Sequence, residues 1–173
     1  MIVSAGTTEL FPFAEPIGMG LVESAYTLSR LLYEKRPSSL TFVGSCGSYG
    51  RLTVFETIYT SSATQIEASF LQNSSYTPIE QSYIVSHETI VNSSNYITTD
   101  AKNASSFLKY GLDVENMEFF SVVSIAKKLR IPVKGFFVVT NYCDATAHEQ
   151  YCQHMKQSNE IINEAYIKGR FEH

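Results

Sequence analysis

Asp144 stands just past an apolar, β-branched run (residues 133–140) and just before a long helical pattern that starts near His148. A carboxylate at the C-terminal end of a buried strand is where α/β proteins tend to place ligand chemistry. Aspartate is also favoured ahead of helices, and by position alone a helix-capping loop residue is the better reading of Asp144. Gly44-Ser45-Cys46-Gly47 follows a second apolar run, where two glycines and a hydroxyl can present N–H groups to an anion or a sugar. Gly18-Met19-Gly20 opens a helical pattern, and glycine there allows either a tight turn or close approach of an oxygen-rich ligand. Glu118 follows Met117 near the start of another helical pattern, a place that suits the helix dipole with or without a function. Tyr96, beside Asn95, offers an aromatic face to a base, or simple packing.

The elements that must position these groups follow from periodicity. Residues 1–5 read as a short strand ending at Gly6, and residues 11–20 as a loop punctuated by Pro12, Pro16, Gly18 and Gly20. Leu21, Val22, Ala25, Leu28, Leu31 and Leu32 recur at helical spacing as far as Lys35, and Pro37 stops that helix. Residues 40–43 are a buried strand running straight into the Gly-Ser-Cys-Gly loop, and residues 52–60 and 83–91 are further strands. Residues 61–82 are Ser/Thr-rich and read as loop with short strands. Asp100 caps a helix through Tyr110 that Gly111 closes, residues 115–129 form the next helix, and a last helix spans about 147–168. Strands alternating with helices, with apolar runs in place of clean alternation, predict a single α/β domain over residues 1–173 whose sheet is covered on both faces.

Composition excludes several classes. A net charge of −4 and the absence of a basic run interleaved with aromatics argue against a nucleic-acid or anionic-membrane partner. No apolar run approaches the length of a membrane span, and the N-terminus lacks the pattern of a secretory signal. Cys46, Cys143 and Cys152 form no CxxC pair, which predicts reduced thiols and a cytoplasmic setting. His148, Cys152 and His154 fit no standard zinc spacing, so no metal is expected. Neither a G-x-G-x-x-G fingerprint nor a Walker lysine is present.

Taken together, Gly18-Met19-Gly20, Gly44-Ser45-Cys46-Gly47, Lys109-Tyr110-Gly111, Met117-Glu118 and Asp144 with His148-Glu149-Gln150 occur in the order seen in bacterial purine nucleoside phosphorylases. The chain resembles that family over essentially its whole length. The broader family also includes methylthioadenosine/S-adenosylhomocysteine nucleosidases and futalosine hydrolase. The resemblance implies a three-layer α/β sandwich with a mixed central sheet, cleavage of the C1′–N9 bond of a purine nucleoside, no cofactor, and a homo-oligomer. It implies that Asp144 serves N7 of the leaving purine, with Cys143 beside it, and that Glu118 binds the ribose hydroxyls. Met117 and Met19 would pack by the sugar, and Tyr96 with Asn95 by the base. Gly6, Gly44 and Ser45 would lie near a phosphate or a nucleophilic water, with Glu9 as the residue to activate that water. For Asp144 to donate a proton at neutral pH, burial must raise its pKa. Lys156 stands at the offset of an arginine that assists the aspartate in phosphorylases.

The departures bear on the acceptor. Leu10 and Phe42 occupy positions where the phosphorylases carry phosphate-gripping arginines, leaving Arg30, Arg51 or a neighbouring subunit to replace them. Asn116 replaces an acidic residue, and Ala147 a second aspartate of the nucleosidases. The motifs favour phosphorolysis and the missing arginines favour hydrolysis; the expectation is a purine nucleoside phosphorylase-like enzyme with phosphate or water as acceptor, with a nucleosidase or futalosine hydrolase type of hydrolase as the alternative and a non-catalytic nucleoside-binding protein as the reading of another class.

Overall fold

In a computed structural model that describes residues 1–171, the apolar run that follows Pro132 forms β9 (Val133–Tyr142), and it is buried on both faces. Phe137 and Val139 point into a cluster with Phe42, Phe119 and Val122, whereas Phe136 and Val138 point into another with Val43, Ile162 and Ala165. That two-sided burial is why the run lacks hydrophobic–polar alternation. Each fully buried phenylalanine contributes roughly 1.5–3 kcal/mol. Gly135 leaves the space that Phe119 fills, since a Cβ there would lie 2.7 Å from Phe119 Cζ.

β9 lies parallel to β3 (Leu40–Ser48) along the whole of the latter. On the other edge of β3, β1 (Ile2–Ser4) pairs in parallel with its first half and β8 (Val114–Asn116) antiparallel with its last residues. The sheet continues from β1 to β2 (Glu15–Pro16), from β9 to β4 (Thr57–Thr60), and from β8 through β7 (Val91–Ser93) and β5 (Ala63–Thr64) to β6 (Ser82–Tyr83). Helices α1 (Leu21–Lys35) and α4 (Phe119–Lys128) pack on each other and cover one face, and α5 (Ala147–Ile167) covers β9 and β3 on the other. Two further helices, α2 (Ala68–Leu71) and α3 (Ala101–Tyr110), close one end around Tyr49, Phe107 and Leu112. The result is the α/β sandwich with a mixed central sheet that the sequence predicts. No helix among the described residues is long and apolar enough to cross a membrane.

The caps expected from the sequence are in place at α3: Asp100 accepts from Asn103 N at 2.8 Å, and Gly111 closes the helix at φ +100°. Three expectations change. Gly44-Ser45-Cys46-Gly47 is strand rather than loop, because β9 pairs with it on one edge, with a register shift between Cys46 and Gly47, and β8 pairs with Gly47 on the other. The helix expected from residue 115 begins at Phe119, since Glu115 and Asn116 pair with Asn92 and Ser93 as strand. Asn116 Oδ1 then accepts from Phe119 N at 3.1 Å and turns the chain from strand to helix. The strands expected over 52–60 and 83–91 shrink to Thr57–Thr60 and to the ends of their ranges, with turns supplying the remainder.

Candidate active site

The C-terminal half of β3 and the ends of β8 and β9 open onto a cavity of about 380 Å³, a size suited to a nucleoside-sized ligand. Its walls hold three almost buried glutamates, Glu9, Glu115 and Glu118, and no lysine or arginine.

Glu9 arrives on the turn after β1, where Gly6 at φ +84° lets the chain reverse so that Glu9 N donates to Gly6 O at 3.0 Å. Ser4 Oγ holds the Glu9 carbonyl at 2.8 Å. The Glu9 carboxylate accepts from Ser45 N at 2.8 Å and Ser45 Oγ at 2.5 Å, and its other oxygen lies over Gly44, where a Cβ would come within 2.8 Å. Burial pushes its pKa up, against the pull of the two Ser45 hydrogen bonds. The turn is tied to α5 by Tyr151, whose hydroxyl meets Thr8 Oγ1 at 2.7 Å, and by Asn159 Nδ2, which donates to Thr8 O at 2.9 Å.

Glu118 sits at the start of α4 and reaches across to α1. Its Oε1 accepts from Gly20 N at 2.9 Å, and its Oε2 from Asn116 Nδ2 at 3.0 Å. Burial pushes its pKa up to about 7; hydrogen bonds from Gly20 and Met117 pull down, and the charge of Glu9 pushes up. Two acids with raised proton affinity, within electrostatic reach of each other in one cavity, are a signature of functional chemistry.

Of the residues singled out in the sequence, Gly6, Glu9, Met19, Ser45, Tyr96, Met117 and Glu118 line this cavity. Gly44 stands behind it and makes room for Glu9. Asn95 is not part of the lining: its Oδ1 accepts from Leu21 N at 2.9 Å and secures the first turn of α1. Cys143 is buried beneath the cavity in the cluster of Tyr49 and Phe107. Asp144 also lies outside the lining, and its environment is the reverse of the one a neutral-pH proton donor needs. It is partly exposed, and Thr146 Oγ1 at 2.7 Å and Thr146 N at 2.8 Å hold its pKa below the ordinary carboxylate value. Lys156 does not reach it, being exposed on α5 among Gln153, Gln157 and Glu160.

The side chain at the end of β9 that does reach the cavity is Asn141, which is 6 % exposed. Its Oδ1 accepts from Thr140 Oγ1 at 2.9 Å, and its Nδ2 donates to Tyr142 O at 3.1 Å. Val139 pairs with Cys46 but Asn141 with Gly47, so Thr140 is an extra residue that breaks the two-residue period of β9. Thr140 and Asn141 both reach the cavity wall as a result, an outcome that alternation in the sequence does not signal. Thr7, Thr8, Glu115, Thr140 and Tyr151 also line the cavity and were passed over by sequence reasoning, whereas His148, another lining residue, belongs to a motif singled out there. His148 stands 3.6 Å from Cys152 through Nε2, whereas His154 Nδ1 meets the Thr140 carbonyl at 2.7 Å, so the two histidines serve different surroundings. The arginines considered as phosphate ligands are engaged elsewhere: Arg51 with Asp113 at 2.6 Å and Arg30 with Glu34 at 3.8 Å. Leu10 is exposed and Phe42 is core.

No protein-family model and no curated protein sequence matches the chain. Solved structures do. A protein from Francisella philomiragia, described provisionally as a 5′-methylthioadenosine/S-adenosylhomocysteine nucleosidase, superposes with a TM-score of 0.83 at 15% identity, covering 96% of both chains. The D198N mutant of the Helicobacter pylori methylthioadenosine nucleosidase, solved with 5′-methylthioadenosine in its active site, gives 0.77 at 13% identity over 91% of each chain. Futalosine hydrolase of the same species also gives 0.77 at 13% identity over 91% of each chain. At such identities the likeness establishes the fold.

Proposed function

We propose that this chain hydrolyses the N-ribosidic bond of a purine nucleoside, with water as the acceptor. The observation that carries the reading is the charge of the cavity wall: three buried glutamates and no cationic side chain. A phosphate dianion brought there would meet carboxylates without a guanidinium partner, whereas a water and a sugar developing positive charge are both served by them.

In this reading Glu9, held by Ser45, takes a proton from the water that attacks C1′. Glu118, poised near neutrality, accepts the sugar hydroxyls and with Glu9 offsets the oxocarbenium charge as the C1′–N9 bond breaks. The bonding pair leaves with the purine. Asn141 meets the base with a hydrogen bond at the end of β9, and the base takes its proton from solvent. Met19 and Met117 pack against the sugar, and Tyr96 lies over the base. The fold shared with nucleosidases and a futalosine hydrolase supports water over phosphate as acceptor.

The test is turnover of inosine, guanosine, adenosine and methylthioadenosine in phosphate-free buffer, followed by free-base and reducing-sugar release. Cleavage of at least one nucleoside to free ribose, at a rate unchanged by added phosphate, is expected. Turnover that requires phosphate and yields a sugar 1-phosphate, or no turnover of any nucleoside, overturns the reading.

A further inference from the structure

The turn that delivers Glu9 is strained. Thr7 stands at φ +61°, in the left-handed region, next to Gly6 at φ +84°. Glycine takes that conformation freely, but threonine, branched at Cβ, is an outlier there. Such strain persists only where the surrounding structure over-determines the backbone, and it clusters at active sites. The base of the turn is closed by the bond from Glu9 N to Gly6 O at 3.0 Å and by Ser4 Oγ, which donates to the Glu9 carbonyl at 2.8 Å. Those bonds hold the two ends and leave the tip, Thr7 and Thr8, to be fixed from elsewhere.

The tip is fixed from α5. Tyr151 and Asn159, about two helical turns apart on that helix, both reach Thr8. The Tyr151 hydroxyl meets Thr8 Oγ1 at 2.7 Å, and Asn159 Nδ2 donates to the Thr8 carbonyl at 2.9 Å. Thr8 is thus gripped through its side chain and its backbone at once. Burial pushes the Tyr151 pKa up, and the charge of Glu9 adds to it against the pull of the Thr8 hydroxyl, so the phenol keeps its proton at neutral pH. α5 is itself seated on the sheet through Ile162 and Ala165, in one cluster with Val43 of β3. β3 also carries Ser45, which holds the Glu9 carboxylate. Glu9 is therefore located from two sides of one packed unit, its carboxylate by β3 and its backbone by the helix that covers β3.

We infer that Tyr151 and Asn159 are positioning residues for Glu9, clamping Thr8 so that the strained turn holds the Glu9 carboxylate on Ser45 and at the cavity. The inference rests on the proposed nucleoside hydrolysis and adds what positions its base. Without the clamp, Thr7 relaxes out of the left-handed region, and the peptide units between Gly6 and Glu9 turn with it. A general base acts only within hydrogen-bond reach of the proton it takes, and a displacement of about 1 Å can cost about 10²-fold in rate. Asn159 is not part of the cavity lining, so its effect on the reaction passes through the contact with Thr8. Tyr151 does line the cavity, but only its hydroxyl belongs to the clamp.

The test compares steady-state kinetics on a nucleoside that the wild type cleaves with those of Tyr151→Phe/Asn159→Ala, and of the same double variant carrying Thr7→Gly. In the double variant kcat should fall roughly 10–100-fold with KM changed less than about threefold, because the clamp acts on the base and not on ground-state contacts. Thr7→Gly, which adopts a positive φ without strain, should recover at least about threefold of the lost kcat. Crystal structures should show Thr7 leaving positive φ and the Glu9 carboxylate parting from Ser45 in the double variant, with both in place in the wild type. If the double variant folds poorly, Tyr151→Phe alone, which removes a single oxygen, carries the same comparison. A kcat within about twofold of wild type, or a loss that Thr7→Gly does not recover, would overturn the clamp and leave the hydrolytic reading standing. If the wild type cleaves no nucleoside, the hydrolytic reading falls and the crystal structures decide the clamp: a displaced Glu9 supports it, and Thr7 and Glu9 unmoved in the variant overturn it.

Discussion

Glu118 gives the sharpest quantitative handle on the site. Its carboxyl is 5 % exposed, and its pKa is raised from the ordinary 4.5 to about 7, mainly by burial. A tenfold change in proton affinity is worth about 1.4 kcal/mol, so the ionised form costs the folded protein about 3 kcal/mol relative to the unfolded chain. The sign follows from proton binding: between pH 4.5 and about 7 the folded state holds a proton on Glu118 that the unfolded state has released. The contribution of Glu118 is therefore fully present below pH 4.5 and is lost as pH rises through about 7. Glu118→Gln removes the titration and also the acceptor for Asn116 Nδ2, a penalty of about 1 kcal/mol that does not vary with pH. The assay is urea unfolding of both proteins at a series of pH values. The stability difference, wild type minus variant, should fall by about 3 kcal/mol between roughly pH 4 and pH 8, with its midpoint in the interval. Glu9, whose pKa burial also raises, is present in both proteins, so its contribution largely cancels. Parallel curves across that range would refute the assignment of a desolvated, neutral-pH carboxyl to this position.

Two further outcomes follow from the same geometry. Glu9→Gln keeps a hydrogen-bonding side chain of the same size beside Ser45 but cannot take a proton from water, so kcat should fall about 10²–10⁴-fold with nucleoside affinity retained; an active variant would dismiss Glu9 as the base. Asp144→Asn should change kcat/KM less than about tenfold, because Asp144 lies outside the cavity wall with its pKa held low by Thr146, whereas Asn141→Ala should cost about 1–3 kcal/mol of transition-state binding. The reverse ranking in steady-state kinetics would return the leaving-group role to Asp144.

The helices and the buried strands were legible where one physical rule governed them. The apolar face of α1 and its stop before Pro37, the Asp100 and Gly111 caps of α3, and the doubly buried β9 all follow from local residue types. Gly44–Gly47 misled because glycines read as loop, while the pairing of β3 with β9 and β8 is a long-range fact that no local window contains. Glu115 and Asn116 misled for the same reason: their pairing with β7 overrides a helical pattern that starts four residues later. Of the residues that line the cavity, Glu118, Met117, Met19 and Ser45 were legible through short motifs, and Glu9 through its closeness to β1. Asp144 drew attention as the carboxylate of its loop, yet Asn141 is the polar residue that the strand itself delivers. Burial separates the two, and burial depends on what α5 and β3 bring alongside.

The cavity is bounded as much by missing atoms as by present ones. Gly20, Gly44 and Gly47 stand where a single methyl would come within 2.9 Å of Asn95 Oδ1, 2.8 Å of Glu9 Oε2 and 2.9 Å of Asn141 Nδ2 respectively. A mutational survey that truncates side chains to alanine would probe the groups that touch a ligand, and at these three positions it would instead add matter. Alanine there is thus the gain-of-volume arm of the survey: at Gly47 it adds matter in the wall itself, and at Gly20 and Gly44 it presses on Asn95 and Glu9 from behind the wall. A library meant to widen what the site admits should keep these three positions fixed and vary Met19, Tyr96 and Ile97 at the mouth, which are already exposed.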